Sequence, residues 1–246
     1  MKNNLSIPGL LWILLSFACV LTIIHGLKKV LQKTAWEKAK RQRILFVTSF
    51  IILFWISLIS ILAYKGFFSD FSKMPPKVLL ALLLPLPFVL LIAFSRSGTK
   101  LLQLVPPQWM VFMQSFRIFV EILLWLAFTK GLLPVQMTFE GGNFDILSGL
   151  LALPVGYLLL KKKIFAPKLA IAFNVAGILL LANILIIAVL SMPTPFRYFM
   201  NEPSNTLVAT FPFILLPGLL VPIAYSFHIF SLRQLLTKKK NIPGQD

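Results

Sequence analysis

Three polar residues interrupt one of the apolar stretches of this chain. Gln114, Arg117 and Glu121 lie within 108–129, at positions i, i+3 and i+7. On an α-helix that spacing puts all three on one face. Near the middle of a membrane helix, each charge costs at least ~2.5 kcal/mol to insert. Arg117 and Glu121 are therefore expected to turn into a helix bundle and to pair, with each other or with a neighbouring helix. Two roles are open: a substrate site, ion path or proton relay, or an ion pair that fixes helix packing.

Further polar residues qualify as partners. Asn143 and Asp145 follow Gly141-Gly142 at the start of the next apolar stretch. Asn143 suits a helix N-cap, and Asp145 complements the positive end of the helix dipole. The alternative is that Glu140, Asn143 and Asp145 line the mouth of a cavity reaching Glu121. Asn174 and Asn183 are nine residues apart and point to roughly opposite sides of one helix, so at most one shares a site. Asn183 is the deeper of the two and is expected within reach of Arg117 or Glu121. Hydrogen bonding between helices is a role open to both. The candidate binding set is Arg117, Glu121, Asp145, Asn183 and Arg197, the last from a loop. No catalytic residue is assigned.

His25 and His228 fall near helix ends at similar depth, which a bis-histidine haem requires. Nothing else supports one, and a zinc site has no third histidine. No metal or cofactor is expected. Cys19 is the single cysteine, so no disulfide forms within the chain. The stretch Ser16-Phe17-Ala18-Cys19 reads as uncleaved helix, because the apolar run continues to Ile24.

The elements that must hold these residues are apolar helices. Of 246 residues, 58% are hydrophobic and 13% charged, and mean hydropathy is +0.88. Seven stretches approach or exceed the ~18 apolar residues needed to span a bilayer. They are placed at 8–27, 44–64, 78–95, 108–129, 144–160, 169–191 and 206–231. The fifth is short. Pro85 and Pro87 interrupt the third, and Pro212, Pro217 and Pro222 mark the last for kinking. The expected fold is all-α: residues 1–246 form a single domain, a polytopic membrane protein of seven transmembrane helices.

Basic residues fix its orientation. Seventeen lysines and arginines lie in 28–43, 96–100, 161–168 and the tail, against six in the alternate gaps and at the N-terminus. Cytoplasmic loops carry such an excess, which puts the N-terminus outside and the C-terminus in the cytoplasm. The net charge of +17 is assigned to those loops. They would attract anionic lipids of the bilayer, and 28–43 could form a short basic surface helix. No continuous basic face remains for nucleic acid. Outside, Thr194 and Pro195 read as the start of a short helix carrying Phe196, Tyr198 and Phe199 at the interface.

Several seven-span classes are excluded by missing residues. The last span has no lysine for a retinal Schiff base, and no Gly-x-Ser-Gly nucleophile is present. Two histidines are too few for a three-histidine zinc hydrolase. Pro107-Gln108 is a lone copy of a dipeptide that PQ-loop transporters carry twice. One resemblance stands. Gln114-Ser115-Phe116-Arg117 with Glu121, Met137 to Asp145, and Pro193-Thr194-Pro195-Phe196-Arg197 resemble a group of bacterial multi-pass proteins without an assigned activity. The similarity covers the fourth span to the C-terminus, about half the chain, and implies a bacterial inner membrane. Three functions are carried forward: binding or transport of a small solute or ion through an outward-facing pocket, a membrane-embedded enzyme on lipid-linked substrates with Glu121 as acid/base, or a non-catalytic sensor or assembly subunit. Oligomeric state is not legible.

Overall fold

The computed structural model describes residues 7–240, with side chains through Thr237. Lys2 and both chain ends, which enter the expected orientation, lie outside the described residues. No strand occurs among those described. Ten helices run in the order α1 (Ile7–Gln32), α2 (Lys38–Tyr64), α3 (Val78–Leu83), α4 (Pro85–Phe94), α5 (Arg96–Leu104), α6 (Pro107–Met113), α7 (Phe116–Thr129), α8 (Ile146–Leu160), α9 (Ala166–Leu190) and α10 (Val221–Lys240).

Among the described residues, five helices are long and apolar enough to cross a membrane: α1, α2, α6 continuing into α7, α9, and Leu216–Thr237. The pair Val78–Phe94 and Arg96–Leu104 makes a sixth if the two count as one, although they bend by 78°. The chain is thus an all-helical protein with the long apolar helices of a membrane protein. α8 has 15 residues and is shorter than any of these five spans. Much of the perimeter is apolar, as lipid contact requires. On α2, Phe46, Phe50 and Phe54 are exposed and stack along the helix with ring centroids 6.4 and 6.3 Å apart.

Each departure from a straight span has a local cause. Proline has no N–H and cannot bond the carbonyl four residues back, so Pro85 and Pro87 separate α3 from α4. Ser95 leaves the helical region and accepts the Gly98 N–H at 2.9 Å, starting α5 in a new direction. A Cβ at Gly98 would collide with the Ile92 carbonyl, so the bend needs glycine there. Between α6 and α7 the backbone tightens: Gln114, Ser115, Arg117 and Ile118 each bond the carbonyl three residues back.

The last span differs most from expectation. A helix over 206–231 was expected, but helical structure continuous with α10 begins only at Leu216. Before it come a 3₁₀ turn at Leu207–Ala209 and irregular backbone, then a π-helical turn at Leu216–Leu220. Pro212 precedes the helical stretch, Pro217 falls in the π turn and Pro222 in the first turn of α10, where its missing N–H leaves the Gly218 carbonyl without its helical donor. Trp55 Nε1 donates to the Gly218 carbonyl at 2.7 Å, pinning the π turn to α2. Unsatisfied backbone polar groups are expensive in apolar surroundings, and such partners make a broken helix tolerable.

Two smaller expectations fail. The basic gap 28–43 forms no separate surface helix, because α1 and α2 extend into it and leave only five residues between them. Lys40 sits 4.7 Å over the Trp36 ring in that turn. No helix starts at Pro195 either. The N–H groups of Tyr198 and Phe199 both return to the Leu190 carbonyl, at 2.8 and 3.1 Å, so the chain folds back on the end of α9.

Candidate functional site

The face of the fourth span points inward. Gln114, Arg117 and Glu121 are all buried, at no more than 1% exposure. Their partners come from two other segments, α10 and the loop before α8. Gln114 donates from Nε2 to the Ala224 carbonyl at 3.0 Å, tying the α6–α7 junction to α10. Arg117 forms a two-pronged pair with Asp145: Nε donates to Oδ2 at 2.6 Å, and Nη2 to Oδ1. Glu121 takes the Asn143 amide, whose Nδ2 lies 2.7 and 2.8 Å from its two carboxylate oxygens.

The orientation of Asn143 is fixed by its other end. Its Oδ1 accepts the Asp145 N–H at 3.1 Å, which only an oxygen can do, so the NH₂ group must face Glu121. Nδ2 also donates to the Met137 carbonyl at 3.0 Å. Asn183 reaches the same loop one step away, donating to the Gly142 carbonyl at 3.0 Å. Gly142 has φ 107°, a left-handed conformation suited to glycine. This loop, with 3₁₀ turns at Val135–Met137 and Phe139–Gly141, dips into the bundle and buries Leu133, Gln136, Met137 and Thr138.

The third prong of Arg117 leads to α10. Nη1 lies 2.9 Å from His228 Nε2. Guanidinium nitrogens only donate, so Nε2 is the acceptor and bears no hydrogen. The ring hydrogen is then on Nδ1, which donates to Asn174 Oδ1 at 2.9 Å. Asn174 Nδ2 passes on to Ser231 Oγ at 2.9 Å and the Ala170 carbonyl at 2.7 Å. The imidazole lies against bare backbone at Gly177, where a Cβ would collide with the ring.

A cavity of about 70 Å³ opens on this cluster, and Arg117, Glu121 and Asp145 all line it. Its remaining walls are apolar, including Met137, Leu181, Val208 and Leu220. Both irregular segments, 135–145 and 207–220, thus contribute to it.

A family model described as a domain of unknown function, DUF8737, matches residues 75–236. The chain belongs to this family. No curated protein and no solved structure matches it. The DUF8737 region runs from just before α3 into α10 and contains every member of the cluster. α1 and α2 lie outside it. Its extent is greater than the resemblance read from the fourth span onward, because it takes in the bent third segment as well.

The structure brings Arg117, Glu121 and Asp145 together, with Asn183 behind the loop. Arg197 is elsewhere. Its Nε donates to the Phe199 carbonyl at 2.8 Å, Nη2 to the Asn201 carbonyl at 2.7 Å, and Nη1 pairs with Glu202 at 2.9 Å. Of the pairings left open by the sequence, Arg117 takes Asp145 as its salt-bridge partner and not Glu121. Asp145 makes no side-chain cap bond to α8, since its carboxylate faces Arg117. Glu140 accepts Trp125 Nε1 at 2.7 Å and is exposed. His25 is also exposed, and no group of three or more metal-ligating side chains occurs among the described residues.

Sequence reasoning missed His228 as a partner of Arg117. Its depth was measured from a span ending at 231, whereas α10 runs to Lys240 and places His228 well inside. The usable signal was the triplet Asn174, His228 and Ser231, three polar residues in otherwise apolar surroundings.

Proposed function

We propose that this chain is a seven-span membrane protein that binds a small cation, the proton included, at Glu121 and carries it across the bilayer. The observation behind this reading is a charge imbalance. The cluster has two carboxylates and one guanidinium, and Asp145 already matches Arg117. Glu121 is left with a neutral amide. A buried anion lacking its own counter-charge draws a cation or a proton. The cavity beside it suits an ion or a very small molecule, and its apolar walls offer little to a larger polar solute. Broken helices flank ion sites in many transporters, because they free backbone groups at membrane depth. Two such breaks border this cavity.

In this reading the bent pair α3–α5 is one span, and α8 with the loop before it is another. Loops 28–43 and 161–168 face the cytoplasm, while 131–142 and 194–205 face outside, so the cavity is reached from the outer side. The membrane is the inner membrane of a bacterium, as the resemblance implies.

Thermal unfolding of the purified protein in detergent provides the test, at constant ionic strength with sodium, potassium, ammonium or methylammonium, and across a range of pH. A cation at about a hundred times its dissociation constant stabilises the native state by about 2.7 kcal/mol. At least one cation, or a pH step, should stabilise the parent and leave Glu121→Gln unchanged. If neither acts through Glu121, the reading fails. A purely structural cluster is the second reading, favoured by the full engagement of Arg117 with Asp145 and His228. It requires Glu121→Gln to match the parent under every condition.

A further inference from the structure

A second cavity, of about 460 Å³, lies between the C-terminal half of α1 and the N-terminal half of α10. Its volume falls within the range of ordinary ligand sites, about 300–1,000 Å³. The walls are almost wholly apolar, with Ile92, Leu101, Met110, Phe112, Phe227 and Phe230 among them. α5 roofs one side, turning Gly98 and Leu102 inward while Arg96 and Lys100 stay exposed.

Few polar side chains line it, Thr22 on α1 among them. His25 and Lys29 line the groove, as does Trp109. The Lys29 and Lys33 ammonium groups gather over the Trp109 ring, 6.0 and 5.6 Å from its centroid. Two like charges are held together there, and no Asp or Glu is among the described residues lining the groove. Gly26 also lines it, and a Cβ at that position would meet no atom within 4 Å.

We infer that this groove binds an anionic phospholipid, one acyl chain lying along the apolar walls and the phosphate resting on Lys29 and Lys33. The walls match a hydrocarbon chain. The unneutralised lysine pair selects a negative headgroup over a zwitterionic one. Gathering both ammonium groups over an aromatic ring at the mouth fixes where that headgroup sits. The site is separate from Glu121 and depends only on the chain being embedded in a bilayer.

Native mass spectrometry of detergent-purified protein titrated with phosphatidylglycerol or phosphatidylcholine tests it. The parent should retain one phosphatidylglycerol in preference to phosphatidylcholine. Gly26→Phe fills the groove from a position with open space and should abolish that adduct. Lys29→Gln combined with Lys33→Gln should lower the phosphatidylglycerol affinity about thirtyfold and erase the headgroup preference. A thermal melt of each variant establishes that it is folded, and the lysine variant, altered only at partly exposed side chains, carries the test if Gly26→Phe does not fold. Retention of phosphatidylcholine as firmly as phosphatidylglycerol by the parent overturns the inference. So does an undiminished adduct in a folded variant, or absence of any adduct in the parent.

Discussion

Arg117 and Arg197 each pair with a carboxylate, yet the two pairs belong to different kinds of structure. Arg117 joins Asp145, 28 residues away, and His228, 111 residues away. Arg197 touches only groups within five residues of itself. The side chains of Arg117 and Asp145 are 2% and 7% exposed, those of Arg197 and Glu202 14% and 71%. An exposed local pair shapes its own loop, and solvent screens it. A buried long-range pair joins separate helices, and removing one member leaves an uncompensated charge away from water. Sequence separation and burial, rather than the residue types, decide what each arginine does.

The sharpest way to break the comparison is at Arg117. Arg117→Gln or Asp145→Asn should each cost about 3–5 kcal/mol of stability, read as a lowered melting temperature in detergent. The double substitution should regain part of that loss. Additive losses would mean that the two charges do not depend on each other. A second cycle ranks the partners: coupling of Arg117 to Asp145 should exceed its coupling to Glu121, since only Asp145 forms a salt bridge with it. The reverse order would restore the pairing with Glu121 that the sequence also left open.

Gly177→Ala is the next step down. The added methyl pushes the His228 ring off α9 and should cost about 1–3 kcal/mol, as overpacking does. His228→Ala is costly in its own right, since it strands Arg117 and Asn174, but in that background Gly177→Ala should cost little further because the ring it would strike is gone. An undiminished cost in that background would place the clash elsewhere. The smallest effect belongs to the Arg197 loop. Bonds from Arg197 and from the Ser204 N–H hold the Glu202 carboxyl below its ordinary value of 4.5. A lowered native value means that the contribution is complete above that ordinary value and is lost as pH falls through the lowered one. Hydrogen-exchange protection factors at 197–204, taken relative to the intrinsic rate at each pH, should therefore fall on acidification, without change in the melting of the bundle. Glu202→Gln should make the loop insensitive to pH. If acid instead melts the bundle in step with this loop, the local clasp is not local.

What the sequence disclosed follows the same division. Arg117 and Glu121 were legible because charges in an apolar run have one physical solution, the bundle interior. Helices over 8–27, 44–64 and 169–191 were legible because their apolar runs are long and unbroken. Asp145 was ambiguous: an acidic residue at a helix start is explained equally well by the helix dipole, and only the fold brings Arg117 to it. The stretch 206–231 looked like a helix because hydropathy does not distinguish an apolar helix from apolar irregular backbone. Nothing local announces that Trp55, 163 residues from Gly218, supplies the hydrogen bond that makes the break tolerable.

The brevity of α8 carries a consequence for the surrounding lipid. At 1.5 Å per residue its 15 residues reach about 22 Å, while the 27 residues of α2 reach about 40 Å. α2 is thus more than long enough for a hydrocarbon core of about 30 Å, and α8 alone falls short of it. Lys161 lies 5.5 Å from the Tyr157 ring at the end of α8, placed to extend its charge toward the headgroups. On the seven-span reading, either the buried loop before α8 makes up that shortfall or the bilayer thins beside it. In the second case the molecule would impose a lopsided hydrophobic mismatch on its annulus and favour neighbours, lipid or protein, that relieve it there.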